Sequence, residues 1–117
     1  MKILLIDDSL VSRMITKKAL TSLKADIFEA GGGTDGIKIA AEKKPDLIIL
    51  DLLMPGMDGF EVLEKLNSKG STVPVIVLSA DIQGTTREKI KSLGAAAFIK
   101  KPPSAEPLLE AIKRVTQ

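Results

Sequence analysis

The sequence contains no cysteine, histidine, tryptophan or tyrosine, and three phenylalanines are its only aromatic residues. Without cysteine, disulfides, thiolate zinc sites and cysteine nucleophiles are excluded. Without histidine, a Ser-His-Asp triad, an imidazole metal ligand and an internal phosphohistidine are excluded. Any bound metal must therefore be held by oxygen atoms, which favours a hard cation such as Mg²⁺.

Long apolar runs and a strong charge of one sign are also absent. The first apolar run, Ile3–Ile6, is stopped by two aspartates, so it is too short for a signal peptide or a membrane span. The net charge is only +2, from 17 basic and 15 acidic residues, which argues against a nucleic-acid partner. We expect a cytoplasmic protein without membrane or nucleic-acid partners, and a single domain over residues 1–117.

Short apolar runs alternate with helical segments along the whole chain. The predicted strands are Ile3–Ile6, Asp26–Ala30, Leu47–Leu50, Val73–Leu78 and Ala96–Ile99. The predicted helices run from Ser9 to Leu23, from a Thr34 cap, from an Asp58 cap, over Thr86–Leu93 before a Gly94 cap, and from a Ser104 cap. This alternation predicts an α/β fold in which a doubly wound, parallel, five-stranded sheet of order 2-1-3-4-5 carries five helices, as in flavodoxin-like proteins.

Four of the five predicted helices have a set of apolar residues at helical spacing. The sets are Leu10, Met14, Ile15 and Leu20; Ile37, Ala40 and Ala41; Phe60, Val62, Leu63 and Leu66; and Leu108, Leu109, Ile112 and Val115. We expect these residues to face the sheet.

Polar residues stand where four of the predicted strands end. Asp7 and Asp8 follow the first strand, Asp51 the third, Ser79 the fourth and Lys101 the fifth. In the order 2-1-3-4-5 these strand ends meet near the switch point, where ligands bind in such folds. Two carboxylates about 4 Å apart repel by roughly 4 kcal/mol at an effective dielectric constant of about 20, so three of them need compensating charge. Lys101 supplies one positive charge, and we infer that Mg²⁺ supplies the rest.

A carboxylate beside a divalent cation, a hydroxyl and an ammonium group is suited to phosphoryl transfer. Asp51 can act as the nucleophile and form an acyl phosphate, while the cation and Lys101 neutralise the phosphoryl oxygens. The phosphoryl donor must come from outside the chain.

The same residues resemble the receiver domain of bacterial response regulators. The resemblance is carried by Asp7-Asp8, the run from Asp51 to Gly59, Ser79-Ala80, and Gly94-Ala95 leading to Phe98 and Lys101-Pro102. It covers essentially the whole chain, and the fold it implies is the one predicted above. It also implies a single-domain, chemotaxis-regulator-like switch that catalyses only its own phosphotransfer and slow autodephosphorylation, and is otherwise not an enzyme.

The resemblance assigns a role to each site residue. Asp51 would accept the phosphoryl group from a histidine kinase or a histidine phosphotransfer protein. Mg²⁺ would be bound by Asp8, Asp51 and the main-chain carbonyl of Leu53, with Asp7 acting through water. Ser79 and Lys101 would bind the phosphoryl group. Ser79 and Phe98 would form the switch, and the Lys101–Pro102 peptide bond is often cis in relatives.

Several residues depart from the commonest pattern of the family. Phe98 stands where tyrosine is frequent, Pro103 where an apolar or aromatic residue is usual, and Gly84-Thr85-Thr86 is a poor helix start. Leu53 and Asp81 occupy positions that tune phosphate lifetime in relatives. We predict that the bulky Leu53 obstructs the attacking water and slows dephosphorylation.

Two other functions fit parts of the sequence. Gly31-x-Gly33-x-x-Gly36 after a strand matches a dinucleotide-binding motif, although it follows the second strand and leaves Asp7 and Asp8 unexplained. An aspartate-nucleophile phosphatase would also use Mg²⁺, a hydroxyl and a lysine. Such enzymes carry a second acid two residues after the nucleophile, a position occupied here by Leu53.

The switch needs a downstream protein partner. Basic residues are frequent in the segment of helix four, strand five and helix five: Arg87, Lys89, Lys91, Lys100, Lys113 and Arg114. We therefore expect a partner with an acidic patch to bind this face, and the chain to be a monomer or a weak, phosphorylation-dependent dimer. Met1 directly precedes the first strand, which favours a stand-alone regulator over the receiver part of a longer protein.

Overall fold

Parallel strands and α-helices alternate throughout the computed structural model, which describes residues 1–80 and 83–117. The strands are β1 Lys2–Ile6, β2 Asp26–Ala30, β3 Leu47–Asp51, β4 Val75–Ser79 and β5 Ala97–Lys100. The helices are α1 Leu10–Ala19, α2 Gly33–Lys43, α3 Gly59–Ser68, α4 Gly84–Ser92 and α5 Ala105–Thr116, with a short 3₁₀ turn at Thr21–Leu23. Within the described ranges, none of these helices has the length and apolarity needed to cross a bilayer.

The strands form one sheet of order β2-β1-β3-β4-β5, and every neighbouring pair is parallel. The predicted topology is therefore confirmed. Ile6 lies opposite Leu50, and Asp51 lies opposite Leu78. The carboxyl ends of β1, β3 and β4 thus meet at one edge of the sheet.

Two apolar layers cover the faces of the sheet. Because side chains alternate along a strand, Leu4 and Ile48 face α2, α3 and α4, while Leu5 and Ile49 face α1 and α5. These central strand residues are completely buried. Burial of each such side chain contributes roughly 1.5–3 kcal/mol, so the sheet is the rigid part of the molecule that positions the residues after it.

The predicted helix caps agree with the structure at the ends of α3 and α4. The Asp58 carboxylate accepts a hydrogen bond from the Glu61 N–H at 3.0 Å. Gly94 has a φ of +93°, and its N–H donates to the Lys91 carbonyl at 3.0 Å, which ends α4. Ser104 is the N-cap of α5, although its side chain makes no cap hydrogen bond.

Other predicted boundaries are shifted. The helix predicted from Ser9 to Leu23 ends at Ala19, and the turn at Thr21–Leu23 and a left-handed Lys24 (φ 51°) follow it. The second helix begins at Gly33 with Gly32 as its N-cap, so the prediction of a Thr34 cap is wrong. The fourth strand begins at Val75 rather than Val73, because Pro74 cannot donate to a strand ladder.

The predicted apolar stripe of α1 does not face the sheet. Leu20 is buried, but Leu10, Met14 and Ile15 are 62%, 57% and 43% exposed. The buried residue within α1 is instead Thr16, whose hydroxyl donates to the Ser12 carbonyl at 3.1 Å. The polar side of α1 faces inward because Ser12 and Arg13 bond to Asp7, which follows β1. In α2, Ala41 is likewise exposed rather than inward-facing.

Candidate functional site

Three carboxylates meet where β1 and β3 end. Asp7 and Asp51 are buried and Asp8 is exposed, and one oxygen of each lies within 4.8 Å of the others. The predicted strand order brings Asp7 and Asp51 together although they lie 44 positions apart in the sequence. Three carboxylate oxygens at this separation are the hard donors that Mg²⁺ prefers, so the residues present fit that cation.

Lys101 joins two of these acids. Its Nζ lies 2.9 Å from Asp7 Oδ2 and 3.3 Å from Asp51 Oδ2, and the lysine side chain is 19% exposed. The Lys101 N–H donates to the Ser79 carbonyl at 2.9 Å, which fixes the segment after β5 against the end of β4. The Lys101–Pro102 peptide bond is cis, as the family resemblance implied.

Asp7 is held as a carboxylate. Burial raises its pKa, but hydrogen bonds from the Ser12 side chain, from the Ser9 N–H at 3.0 Å and from Lys101 together bring the pKa below its ordinary value. These three donors satisfy the ionised form. Asp7 therefore remains negatively charged beside Asp51.

The pKa of Asp51 is shifted in the opposite direction, above its ordinary value. Burial raises its pKa most, and the charge of Asp7 adds to this effect. Lys101 and the main-chain N–H of Leu53 oppose it, but the pKa of Asp51 remains above its ordinary value. Of the two buried carboxylates, Asp51 is thus the one whose charge is less compensated, and a divalent cation would stabilise its ionised form.

Ser79 and Phe98 lie on one face of the sheet. Ser79 is buried at the end of β4, and Phe98 on β5 lies opposite Val77, two residues before Ser79. The Phe98 ring is half-buried against the core and is covered by Arg87 of α4, whose guanidinium carbon lies 5.4 Å from the ring centre. The two predicted switch residues therefore lie on neighbouring strands, on the same face of the sheet.

Leu53 projects outward beside the acids. Its side chain is 66% exposed, two residues after Asp51, while its N–H is directed at the Asp51 carboxylate. Pro103, which stands where the family usually has an apolar or aromatic residue, is buried. Asp81, the other residue predicted to affect phosphate lifetime, lies outside the described residues.

Two of the three glycines that suggested a dinucleotide site, Gly33 and Gly36, have a packing role. A Cβ at Gly33 would lie 2.8 Å from Val62 Cγ2, and a Cβ at Gly36 would lie 2.5 Å from Ile6 Cδ1. Both distances are far below van der Waals contact, so these positions need glycine to let α2 approach α3 and β1. The spacing of these glycines is therefore accounted for without a bound nucleotide.

Sequence reasoning missed the residues that support Asp7. Ser9 is the N-cap of α1, and its hydroxyl accepts a hydrogen bond from the Ser12 N–H at 3.1 Å. Its own N–H, the Ser12 side chain and the Arg13 side chain all bond to Asp7 as well. The available signal was the polar pair Ser12-Arg13 in the first turn of the helix, close after the two aspartates.

Comparisons with known proteins agree with this geometry. The family model for the response regulator receiver domain matches residues 3–113. The chemotaxis protein CheY of Listeria monocytogenes is 35% identical over 119 residues, which cover 100% of this chain and 99% of that protein. Protein PilH of Pseudomonas aeruginosa is 32% identical over 116 residues, which cover 97% of this chain and 96% of that protein.

Solved structures show the same similarity. The chemotaxis protein CheY4 of Vibrio cholerae matches with a TM-score of 0.90 at 28% identity, covering 97% of each chain. A signal receiver domain from Vibrio parahaemolyticus matches with a TM-score of 0.93 at 30% identity, covering 98% of this chain and 88% of that one. The chain therefore belongs to the response regulator receiver domain family of two-component systems, whose members are signalling switches that take phosphoryl groups from histidine kinases.

Proposed function

We propose that this chain is a phosphorylation-controlled switch that accepts one phosphoryl group on Asp51. The observation that carries the proposal is the site itself: three carboxylates with oxygens within 4.8 Å of one another, and one lysine that bonds to two of them. Asp8, Asp51 and the Leu53 carbonyl would bind Mg²⁺, with Asp7 beside them. When bound, the cation supplies the positive charge that a phosphoryl group needs in order to approach an acidic site.

The proposed step is attack of an ionised Asp51 oxygen on phosphorus. A phosphorus–oxygen bond forms while the phosphorus–nitrogen bond of a phosphohistidine breaks, and the donor histidine leaves with the bonding electrons. Lys101 keeps Asp51 ionised before the transfer and pairs with the phosphoryl oxygens after it.

A protein donor is supported by the surface around the acids. Exposed large apolar side chains are concentrated there: Leu10, Val11, Met14 and Ile15 at the start of α1, directly after Asp8, and Leu53 after Asp51. Exposed apolar side chains that adjoin one another favour contact with another protein. We propose a histidine kinase or a histidine phosphotransfer protein as that donor.

The output would pass through Ser79 and Phe98. A phosphoryl group on Asp51 adds charge and acceptor oxygens near Ser79, and movement of Ser79 would open space that Phe98 could fill. Phe98 also borders a groove of about 240 Å³ with Arg87, Ile90 and Lys91. A change in Phe98 would thus alter the face formed by α4, β5 and α5.

Intact-mass measurement after incubation with acetyl phosphate and Mg²⁺ tests the proposal. We expect a single phosphoryl adduct per chain, formed with Mg²⁺ and absent when the cation is chelated. A phosphatase would instead release phosphate from a simple ester over many turnovers. Sustained turnover, or adduct formation that does not need a divalent cation, would contradict the proposed switch.

Replacing Leu53 with asparagine is expected to shorten the lifetime of the phosphoryl group. The asparagine amide can orient water beside Asp51, whereas the leucine side chain excludes it, and a positioned polar group accelerates such steps by about tenfold or more. The decay of the mass adduct over time gives the rate. Leu10→Asn, which makes the same change on α1, should leave the rate unchanged, and equal or slower decay in Leu53→Asn would refute the effect.

Binding of the phosphorylated chain to its output partner is expected to weaken with salt. Six basic side chains on this face are exposed, namely Arg87, Lys89, Lys91, Lys100, Lys113 and Arg114. Exposed charges are screened over about 10 Å at 0.1 M salt, so an acidic partner loses attraction as ionic strength rises. Fluorescence titration of a candidate partner at several salt concentrations measures this effect, and salt-independent affinity would argue against an acidic partner.

A further inference from the structure

Arg13 connects the ends of two strands next to the acidic site. From the first turn of α1, its Nη1 donates to the main-chain carbonyl of Asp7 at 2.5 Å. Its Nε pairs with the Glu29 carboxylate near the end of β2 at 3.0 Å. The Arg13 side chain is only 17% exposed, so the guanidinium is held between these two partners.

The main chain at Asp7 is thereby fixed from both sides. The Asp7 N–H donates to the Ala30 carbonyl at 3.0 Å, and the Asp7 carbonyl accepts from Arg13. The carbonyl of Asp7 and the Cα of Asp8 belong to one planar peptide unit. An anchored Asp7 carbonyl therefore sets the direction in which the Asp8 side chain leaves the backbone.

The position of the Asp8 carboxylate depends on the backbone more than the positions of the Asp7 and Asp51 carboxylates do. Among the residues that the structure describes, no hydrogen bond or ion pair holds its exposed carboxylate, whereas Asp7 and Asp51 are both bonded to Lys101. An Asp8 oxygen still lies within 4.8 Å of oxygens of the other two acids. The position of the backbone is thus what keeps Asp8 within this cluster.

We propose that Arg13, anchored by Glu29, is a positioning residue for the divalent-cation site. Its guanidinium holds the peptide between Asp7 and Asp8 so that the Asp8 carboxylate stays beside the two other acids that would hold the cation. This inference rests on the proposed function, because it takes the three carboxylates as that site. Arginine suits the role because its planar fork of N–H donors bonds two partners in fixed directions, which a lysine ammonium cannot reproduce.

The charge of Arg13 and its geometry predict opposite effects on cation binding. Arg13 is itself a cation near the acids, so loss of its charge alone would tighten Mg²⁺ binding. Loss of its hydrogen bond to Asp7 would release Asp8 and weaken Mg²⁺ binding. Residues that orient metal ligands typically change metal affinity by about tenfold or more when replaced.

Calorimetric titration of the full chain with Mg²⁺ separates these effects. We expect Arg13→Met and the charge-conserving Arg13→Lys to bind Mg²⁺ about tenfold more weakly than the unmodified chain. Lys17→Met is the matched control, because Lys17 pairs with the same Glu29 carboxylate at 2.9 Å from the same helix, and its ammonium is not bonded to Asp7. Lys17→Met should bind Mg²⁺ equally well or slightly more tightly, and circular dichroism on the same samples checks folding.

The titration results distinguish the positioning role of Arg13 from the proposed function. Unchanged or tighter binding in folded Arg13→Lys or Arg13→Met overturns the positioning role and leaves the proposed function standing. An equal loss in Lys17→Met also overturns it, because the effect would then belong to the Glu29 ion pairs. If Arg13→Met does not fold, Arg13→Lys carries the test. If the unmodified chain binds no Mg²⁺, the cation site itself is refuted, and the positioning role with it.

Discussion

Replacing Asp51 with asparagine is expected to abolish phosphoryl capture completely and to stabilise the fold at the same time. The amide is isosteric but is not a nucleophile, so no mass adduct should form with acetyl phosphate and Mg²⁺. The substitution also removes a buried carboxylate whose charge is only partly compensated. We expect the free energy of unfolding at pH 7 without Mg²⁺ to rise by about 1 kcal/mol, as is common when a functional charge is removed.

The raised pKa of Asp51 explains why its removal should stabilise the fold at neutral pH. Because the pKa of Asp51 is raised in the folded state, the native protein binds that proton more tightly than the unfolded chain does. The contribution of Asp51 to stability therefore falls as the pH rises from the ordinary aspartate value through the raised one. Asp7, whose pKa is lowered, contributes the opposite trend in both proteins.

The difference in stability between Asp51→Asn and the unmodified chain should accordingly be largest at neutral pH and should vanish in acid. Urea unfolding at several pH values measures it. Asp58→Asn is a suitable control, because asparagine caps a helix as well as aspartate does and the site is untouched. That control should retain full phosphorylation, whereas labelling of Asp51→Asn to the level of the unmodified chain would refute Asp51 as acceptor.

Replacing Lys101 with methionine is expected to have the opposite effect on stability. Two buried carboxylates would lose the ammonium group that lies 2.9 and 3.3 Å from them. Removing one partner of a fully buried ion pair costs roughly 3–5 kcal/mol, and the partial exposure of Lys101 lowers this to about 2–3 kcal/mol at pH 7. Methionine preserves most of the side-chain volume, so the loss reports charge rather than packing.

Three results would support this reading of Lys101→Met. The deficit should shrink as the pH falls, because the unpaired acids then take up protons in the folded state. Mg²⁺ should restore part of it, since a bound cation replaces the lost charge. Lys100→Met, which changes an exposed neighbouring lysine, should be within about 0.5 kcal/mol of the unmodified chain. A deficit that is independent of pH and Mg²⁺ would point to lost packing instead.

Much of the fold and the position of the acids could be predicted because both follow from local patterns. The buried strand Leu47–Leu50 is apolar throughout and is followed by Asp51, so the end of the strand and the acid are visible together. Parallel order then places Asp7 beside it without further information. Helix ends with a strong chemical signal, such as Asp58 and Gly94, were also found correctly.

The features that sequence reasoning missed depend on contacts that hydrophobic periodicity does not report. Periodicity alone placed Leu10, Met14 and Ile15 on the buried side of α1, but hydrogen bonds from Ser12 and Arg13 to Asp7 turn the opposite side inward. The early start of α2 at Gly33 follows from its close packing against α3. Neither contact leaves a periodic signal in the sequence, because Ser12 and Arg13 bond to a residue outside the helix and Gly33 packs against a side chain of another helix.

Locating the phosphoryl group within the chain tests the central claim most directly. The protein would be phosphorylated with acetyl phosphate and Mg²⁺, reduced with borohydride to convert an acyl phosphate into a stable alcohol, digested and analysed by peptide mass spectrometry. Reduction at residue 51 alone, and only in samples that contained Mg²⁺, is the expected result. Phosphate on the hydroxyl of Ser79, reduction at Asp7 or Asp8, or labelling of Asp51 without a divalent cation would contradict the account.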